Sequence, residues 1–348
     1  MAAAERTLTP RALNRALLAR QLLIERARTS IPNVLERMGG LQAQYAPSMY
    51  IGLWSRLVGF GRDDLDRALE RRTVVQGTLM RATIHLVAAG DYWPFAVGIR
   101  KRRRDWWIRS RPDHPSARGL AEAAKRVRRR LADRPLRRAE LDEIVGKGAV
   151  GVGGVNLWLD LVRVPPSGTW ERRRADLYAA AEDWLGPADV SPEDGVERLV
   201  RRYLSGFGPA SRNDIADWAG LQLGDIGPTV ERLRLRRFRD EAGTELLDLP
   251  RAPLPDPDTP APVRFLPVWD ATLLAHARRT GILPEEHRAR VFSTKTPQSV
   301  NTFLVDGAVA GTWKYEKGRI RQEPFKRLAQ STRRELNEEA DRLAALHE

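Results

Sequence analysis

Three observations predict a mainly helical protein with small β-sheets, an α+β fold. Apolar residues recur at helical spacing, as at Leu13, Leu17, Leu18, Leu22 and Leu23. A block of helices followed by a short strand-turn segment returns at intervals of about 70 residues, a period that suits small tandem units better than one large fold. Beyond a proline-rich stretch, Pro250 to Pro262, the pattern turns to strands. At 348 residues the chain is longer than one core normally organises, so several domains are expected.

In the first block, Thr9-Pro10 opens a helix, and Ser30-Ile31-Pro32 caps and starts another that Gly39-Gly40 ends. Helices are expected over Tyr50 to Leu57 and Arg62 to Leu69. Two short strands, Thr73 to Gly77 and Arg81 to Val87, follow with a turn between them. Helices closed by a small hairpin make a winged helix-turn-helix. The second block has a basic helix over Ala117 to Leu131, a helix starting at Leu136, a third over Val155 to Leu161, and a wing-like strand and turn over Arg163 to Trp170. The third has a helix over Glu193 to Leu204. Phe207 to Leu221 then reads as helix-turn-helix, with Gly220 as stop and Gly227-Pro228 opening the next helix. In the C-terminal part, Thr302 to Trp313 is a hairpin about Asp306-Gly307, and Phe325 to His347 a charged amphipathic helix. The expected organisation is three winged-helix units, over 1–115, 116–190 and 191–250, and a β-rich region over 251–348.

Composition narrows the chemistry. Lys and Arg number 59 against 45 Asp and Glu, a net charge of +14. Arg dominates, and its planar fork suits phosphate, so nucleic acid is the expected partner. A high-GC genome, which raises Arg throughout, is the bland source of such charge. The chain has no cysteine, which excludes disulfides, thiolate metal sites and a Cys nucleophile. The five histidines show no metal-ligand spacing, and neither a P-loop nor a dinucleotide fingerprint occurs, so no cofactor and no metal are expected. No apolar run approaches a membrane span and the first residues lack a signal-peptide core, so the cytoplasm is the expected location.

The sharpest basic cluster is Arg100, Lys101, Arg102, Arg103 and Arg104, with Trp106 and Trp107 close behind. The basic groups suit phosphates, and the indoles could stack on a base or wedge a groove. A solvated basic face over core tryptophans is the equal alternative. His276, Arg278 and Arg279 are further candidates for phosphate, and the hairpin tip Asp306-Gly307 is a candidate groove element. His85 reads as a core or hairpin histidine. Gln42-Ala43-Gln44 lies just past the end of a helix. Two amides two residues apart share a side only where the backbone is extended, and there they can hold and aim one water.

Several segments occur in a specific order: Gly39 to Gln44, Arg81 to Val87 with Asp91-Tyr92-Trp93, Gly208 to Ser211, Leu266 to Asp270 and Val305 to Trp313. Over nearly its whole length the chain resembles the winged-helix DNA glycosylases typified by AlkZ and YcaQ. The resemblance implies three winged-helix units in a C shape, a basic concavity for double-stranded DNA, and monofunctional excision of N7-alkylated purines, including bulky adducts or interstrand crosslinks. It implies catalysis by Gln42 and Gln44. The YcaQ-like branch has aspartate at the second position, so Gln44 places this chain with the AlkZ-like branch, whose members are often linked to self-resistance. A monomer is expected, because one continuous groove needs no symmetry partner. The rival reading is a non-catalytic winged-helix DNA-binding protein, a regulator or a lesion sensor, which accounts for the charge but not for the glutamines.

Overall fold

The computed structural model describes residues 5–110, 116–146, 151–274, 281–292 and 299–348. Helices predominate and the strands form three small sheets, so the α+β class is the one the chain adopts. The largest sheet has six strands in the order Leu41–Gln42, Ile84–Ala88, Val74–Thr78, Leu161–Arg163, Leu177–Ala180 and Leu136–Arg137. It is continuous across strands from both sides of residue 115. The hairpin expected before residue 88 is present, with Val75 opposite Val87 and Gly77 opposite His85. A second sheet pairs Thr7–Leu8 in parallel with Arg236–Asp240, which pairs antiparallel with Glu245–Asp248. A third, of four strands, holds the C-terminal hairpin Thr302–Val305 and Ala308–Glu316 between Arg264–Leu266 and Arg319–Pro324.

The helix ends follow their caps. Thr9, Ser30, Ser191 and Ser211 each accept a backbone N–H of the first turn, which fixes where those helices begin. Some expected helices differ in their bounds. Val155 to Leu161 is not helical throughout, because the Asn156 side chain accepts the Leu161 N–H at 3.0 Å and the chain enters a strand at Leu161. The helix expected to open at Gly227-Pro228 begins at Leu223, where Asp225 caps the Gln222 N–H at 2.8 Å and Pro228 falls inside. The terminal helix is Gln330–His347 and starts later than the expected Phe325, with Ala329 in extended backbone at its N-cap.

One long helix, Ala89–Ser110, runs straight on from the strand Ile84–Ala88 and carries the basic cluster. It crosses Pro192–Phe207 at very short range: a Cβ on Gly98 would lie 2.7 Å from the backbone of Gly195, so both positions need glycine. Around that crossing Phe95, Ile99, Leu199, Tyr203, Phe207 and Trp218 form the centre of the largest core.

Two fully buried ion pairs tie distant segments. Arg20 meets Asp248 through two bonds of 2.7 and 2.8 Å and also donates to the Leu204 and Pro253 carbonyls, which pins the proline-rich strap to the first helix. Arg56 meets Asp270 through bonds of 3.0 and 2.9 Å and holds the carbonyls of Gln21 and Gly52. Every donor of these forks has a partner, the condition under which a buried charge is tolerated.

Candidate active site

The glycine pair sets up the site. Gly39 (φ 77) and Gly40 (φ 86) are left-handed and reverse the chain out of the helix Ile31–Met38 into the strand Leu41–Gln42. The ladder then runs Leu41 opposite Leu86 and Gln42 opposite His85, and continues with Ala43 N–H donating to the Ile84 carbonyl at 2.7 Å. The next helix starts only at Ala46. The glutamine motif is therefore not helical. Ala43 is buried, Gln42 half-buried and Gln44 exposed, the alternation of an extended segment with one face inward. Gln44 uses one lone pair of Oε1 to accept the Ile84 N–H at 3.3 Å, which leaves its NH₂ and a second lone pair available.

Gln42 lines a small cleft with Gly39, Gly40, Arg81, His85, Trp218, Ala271 and Leu274. Its volume of about 10 Å³ is room for a single water. No carboxylate stands among these lining residues. His85 is buried, and desolvation, aided by the Arg81 charge, pushes its pKa down to about 3. It is neutral at pH 7. Its Nδ1 lies 3.1 Å from the Thr83 carbonyl, which can only accept, so Nδ1 donates and Nε2 is left as an acceptor. Arg81 donates to the Trp218 carbonyl at 2.6 Å, and burial lowers its pKa. Arg81 and Ala82 sit at φ 51 and 57, a left-handed pair outside glycine that costs energy and persists only because its surroundings hold it.

Arg81 is shared with a larger pocket of about 270 Å³, lined also by Ala82, Arg102, Arg103, Trp106, Gly220, Leu221 and Gln222. The basic cluster thus divides by helix face. Arg100 pairs with Asp160 at 2.8 Å, Arg103 donates to the Thr78 carbonyl at 2.8 Å, and Arg104 donates to the Leu157 carbonyl at 2.6 Å with its guanidinium over Trp158. Burial lowers the pKa of Arg103 and Arg104. These three are committed to the protein. Lys101 is exposed, and Arg102 and Trp106, one helical turn apart, both face the pocket. Trp106 is 49% exposed, whereas Trp107 lies against Gly153 and Gly154.

The hairpin tip is not free. Asp306 pairs with Arg11 at 3.0 Å and with Arg15, and Asn14 donates to the Gly307 carbonyl at 2.9 Å, so the turn is docked on the first helix. His276, Arg278 and Arg279 lie outside the described residues. Trp218 enters the cleft without a sequence signal of its own, from a helix far along the chain, and the left-handed backbone of Arg81 is legible only in three dimensions. Among the described residues no group of three His, Asp or Glu is placed to hold a metal, and no helix is long and apolar enough to cross a membrane.

A water-sized cleft lined by no carboxylate thus adjoins a basic, aromatic pocket. Residues 35–346 match the family model described as DNA glycosylase AlkZ-like, and the chain belongs to that family and is a DNA glycosylase. It is similar to the interstrand DNA cross-link repair glycosylase of Streptomyces sahachiroi, with 21% identity over 334 residues that cover 88% of each protein. Its fold matches the solved S. sahachiroi DNA glycosylase AlkZ with a TM-score of 0.79 at 20% identity, over 98% of this chain and 97% of that one.

Proposed function

We propose that the enzyme hydrolyses the N-glycosidic bond of N7-alkylated purines in double-stranded DNA, bulky guanine adducts or crosslinks of a genotoxic natural product among them, and that it does so as a monomer built from three winged-helix units. The observation that carries this reading is Gln42 in a one-water cleft without a carboxylate. N7 alkylation makes guanine cationic and its glycosidic bond weak. A general base is worth about 10²–10⁴-fold, roughly 3–5 kcal/mol of barrier, and a good leaving group reduces the need for it. Gln42 orients the water, with neutral His85 Nε2 able to accept its second proton as a hydrogen bond. Gln44, exposed two residues further on, turns the remaining lone pair of its carbonyl oxygen toward the sugar as positive charge develops there. Arg102 and Trp106 hold the nucleotide in the adjoining pocket, the guanidinium on a phosphate and the indole against a base.

Without an acid to protonate the leaving base, undamaged purines are spared. The test is single-turnover base release from a duplex carrying N7-alkylguanine. Release by the wild type, none from undamaged DNA, and a loss of at least about tenfold in Gln42→Ala/Gln44→Ala are expected. Unaltered release by the double variant would remove the glutamines from the mechanism. A borohydride-trapped protein–DNA adduct would show a lyase.

A further inference from the structure

The loop between the strands Leu161–Arg163 and Leu177–Ala180 carries Arg172, Arg173 and Arg174, and with Arg137, Pro166, Ser167, Asp176 and Leu177 it lines a pocket of about 290 Å³. This loop is a built structure. Gln76 reaches from the central hairpin to the Gly168 carbonyl at 2.9 Å. Gly168 has φ 74, and a Cβ there would lie 2.8 Å from Gln76 Oε1. Gly168 N–H donates to the Arg172 carbonyl at 2.8 Å, and Ser167 Oγ donates to the Arg174 carbonyl at 2.8 Å while accepting the Asp176 N–H at 2.7 Å. Arg172 N–H donates to Thr169 Oγ1 at 3.3 Å. Backbone, Ser, Thr and Gln thus shape the loop, and the Arg172 guanidinium is left over.

Their charge is poorly balanced. Among the described residues Asp176 is the one carboxylate lining the pocket, 3.4 Å from Arg174 and 3.9 Å from Arg137, and Glu171 is engaged by Arg62 at 3.6 Å. The Arg172 side chain has no hydrogen-bond or ion-pair partner among the described residues. Arg173 reaches the other way: it donates to the Tyr45 hydroxyl at 3.1 Å, with its guanidinium 6.0 Å from that ring. Tyr45 is 42% exposed and follows Gln44 directly. Arg173 therefore links the pocket-lining loop to the residue that follows the glutamine motif.

We infer that Arg137, Arg172 and Arg174 form a cradle for a backbone phosphate of the DNA strand, and that Arg173 couples this cradle to Tyr45 beside the glutamine motif. This rests on the reading of the chain as an enzyme acting on duplex DNA. With phosphates held here and at Arg102, the strand is gripped at two places, which helps to fix its register on the protein. Arg172 and Arg174 are positioning residues, removed from the reacting bond.

Binding of a fluorescent duplex is measured across a salt series for the wild type, Arg172→Ala/Arg174→Ala, and Arg129→Ala/Arg130→Ala, which removes the same charge from the exposed face of the helix Ala117–Leu131. Each phosphate contact adds about 0.9 to the log–log salt slope, so the cradle variant, which loses its hold on one phosphate, is expected to lose about 0.9 in slope and the control far less. Arg172→Lys/Arg174→Lys restores most of the slope. Competition by inorganic phosphate separates the two sources of the anion. If phosphate affinity falls in the cradle variant while its DNA slope stays at the wild-type value, the pocket serves a free anion and the inference is overturned. Equal slope losses in cradle and control variants overturn it as well. Failure of the N7-adduct reading would instead appear as absent base release by the wild type with the slope difference intact.

Discussion

Gly40→Ala tests whether the glycine turn sets the catalytic register. At φ 86 an alanine carries a left-handed penalty of roughly 1–2 kcal/mol. Its Cβ would also stand 2.9 Å from both the Leu86 carbonyl oxygen and Val87 Cγ1, about 0.5 Å inside ordinary contact at 3.4 Å. The backbone oxygen cannot rotate away, so the strand Leu41–Gln42 must move off its partner, and Gln42 moves with it. A total loss of about 2–3 kcal/mol in urea unfolding is expected. Displacement of the water-holding amide should slow single-turnover base release by about 10–100-fold. Gly59→Ala is the control: its φ of 69 brings the same backbone penalty, but no atom lies within 4 Å of the new Cβ. It should lose stability without losing rate. Full-speed release by a destabilised Gly40→Ala protein would refute the idea that this turn positions Gln42.

Asp270→Ala leaves Arg56 buried and unpaired and should cost about 3–5 kcal/mol, whereas Arg56→Met/Asp270→Leu should recover much of it; urea unfolding reads both. Trp106→Ala should weaken binding to flipped or single-stranded DNA by about 1–3 kcal/mol with no change in unfolding, because its ring is exposed and faces the pocket. His85 has a folded pKa of about 3 against 6.5 unfolded, so the unfolded chain binds the extra proton. Its contribution to stability is complete above pH 6.5 and is lost as pH falls toward 3. Unfolding measured between pH 7.5 and 5 should show a loss near 1 kcal/mol per pH unit below about 6 that His85→Asn reduces, while base release near neutrality shows no histidine limb.

Much of the frame follows from the chain alone. The caps at Thr9, Ser30 and Ser211, the glycine stop before Gln42, the hairpin at Asp306-Gly307 and the α+β class are encoded within a few residues of where they act, because capping and turn formation are local. The same local reading marks the glutamine motif as non-helical. Tertiary structure alone decided which charges are spent. Arg100, Arg103 and Arg104 look no different in sequence from Lys101 and Arg102, yet Asp160, Thr78 and Leu157 are brought to three of them by segments packed on that helix. It also decided the chemistry of the cleft. Trp218 and Arg81 meet beside Gln42 across 137 residues of sequence, and His85 is neutral because burial strips its water away. A pattern of residues states which groups exist; desolvation and partnership, which depend on what folds over them, set what those groups can do.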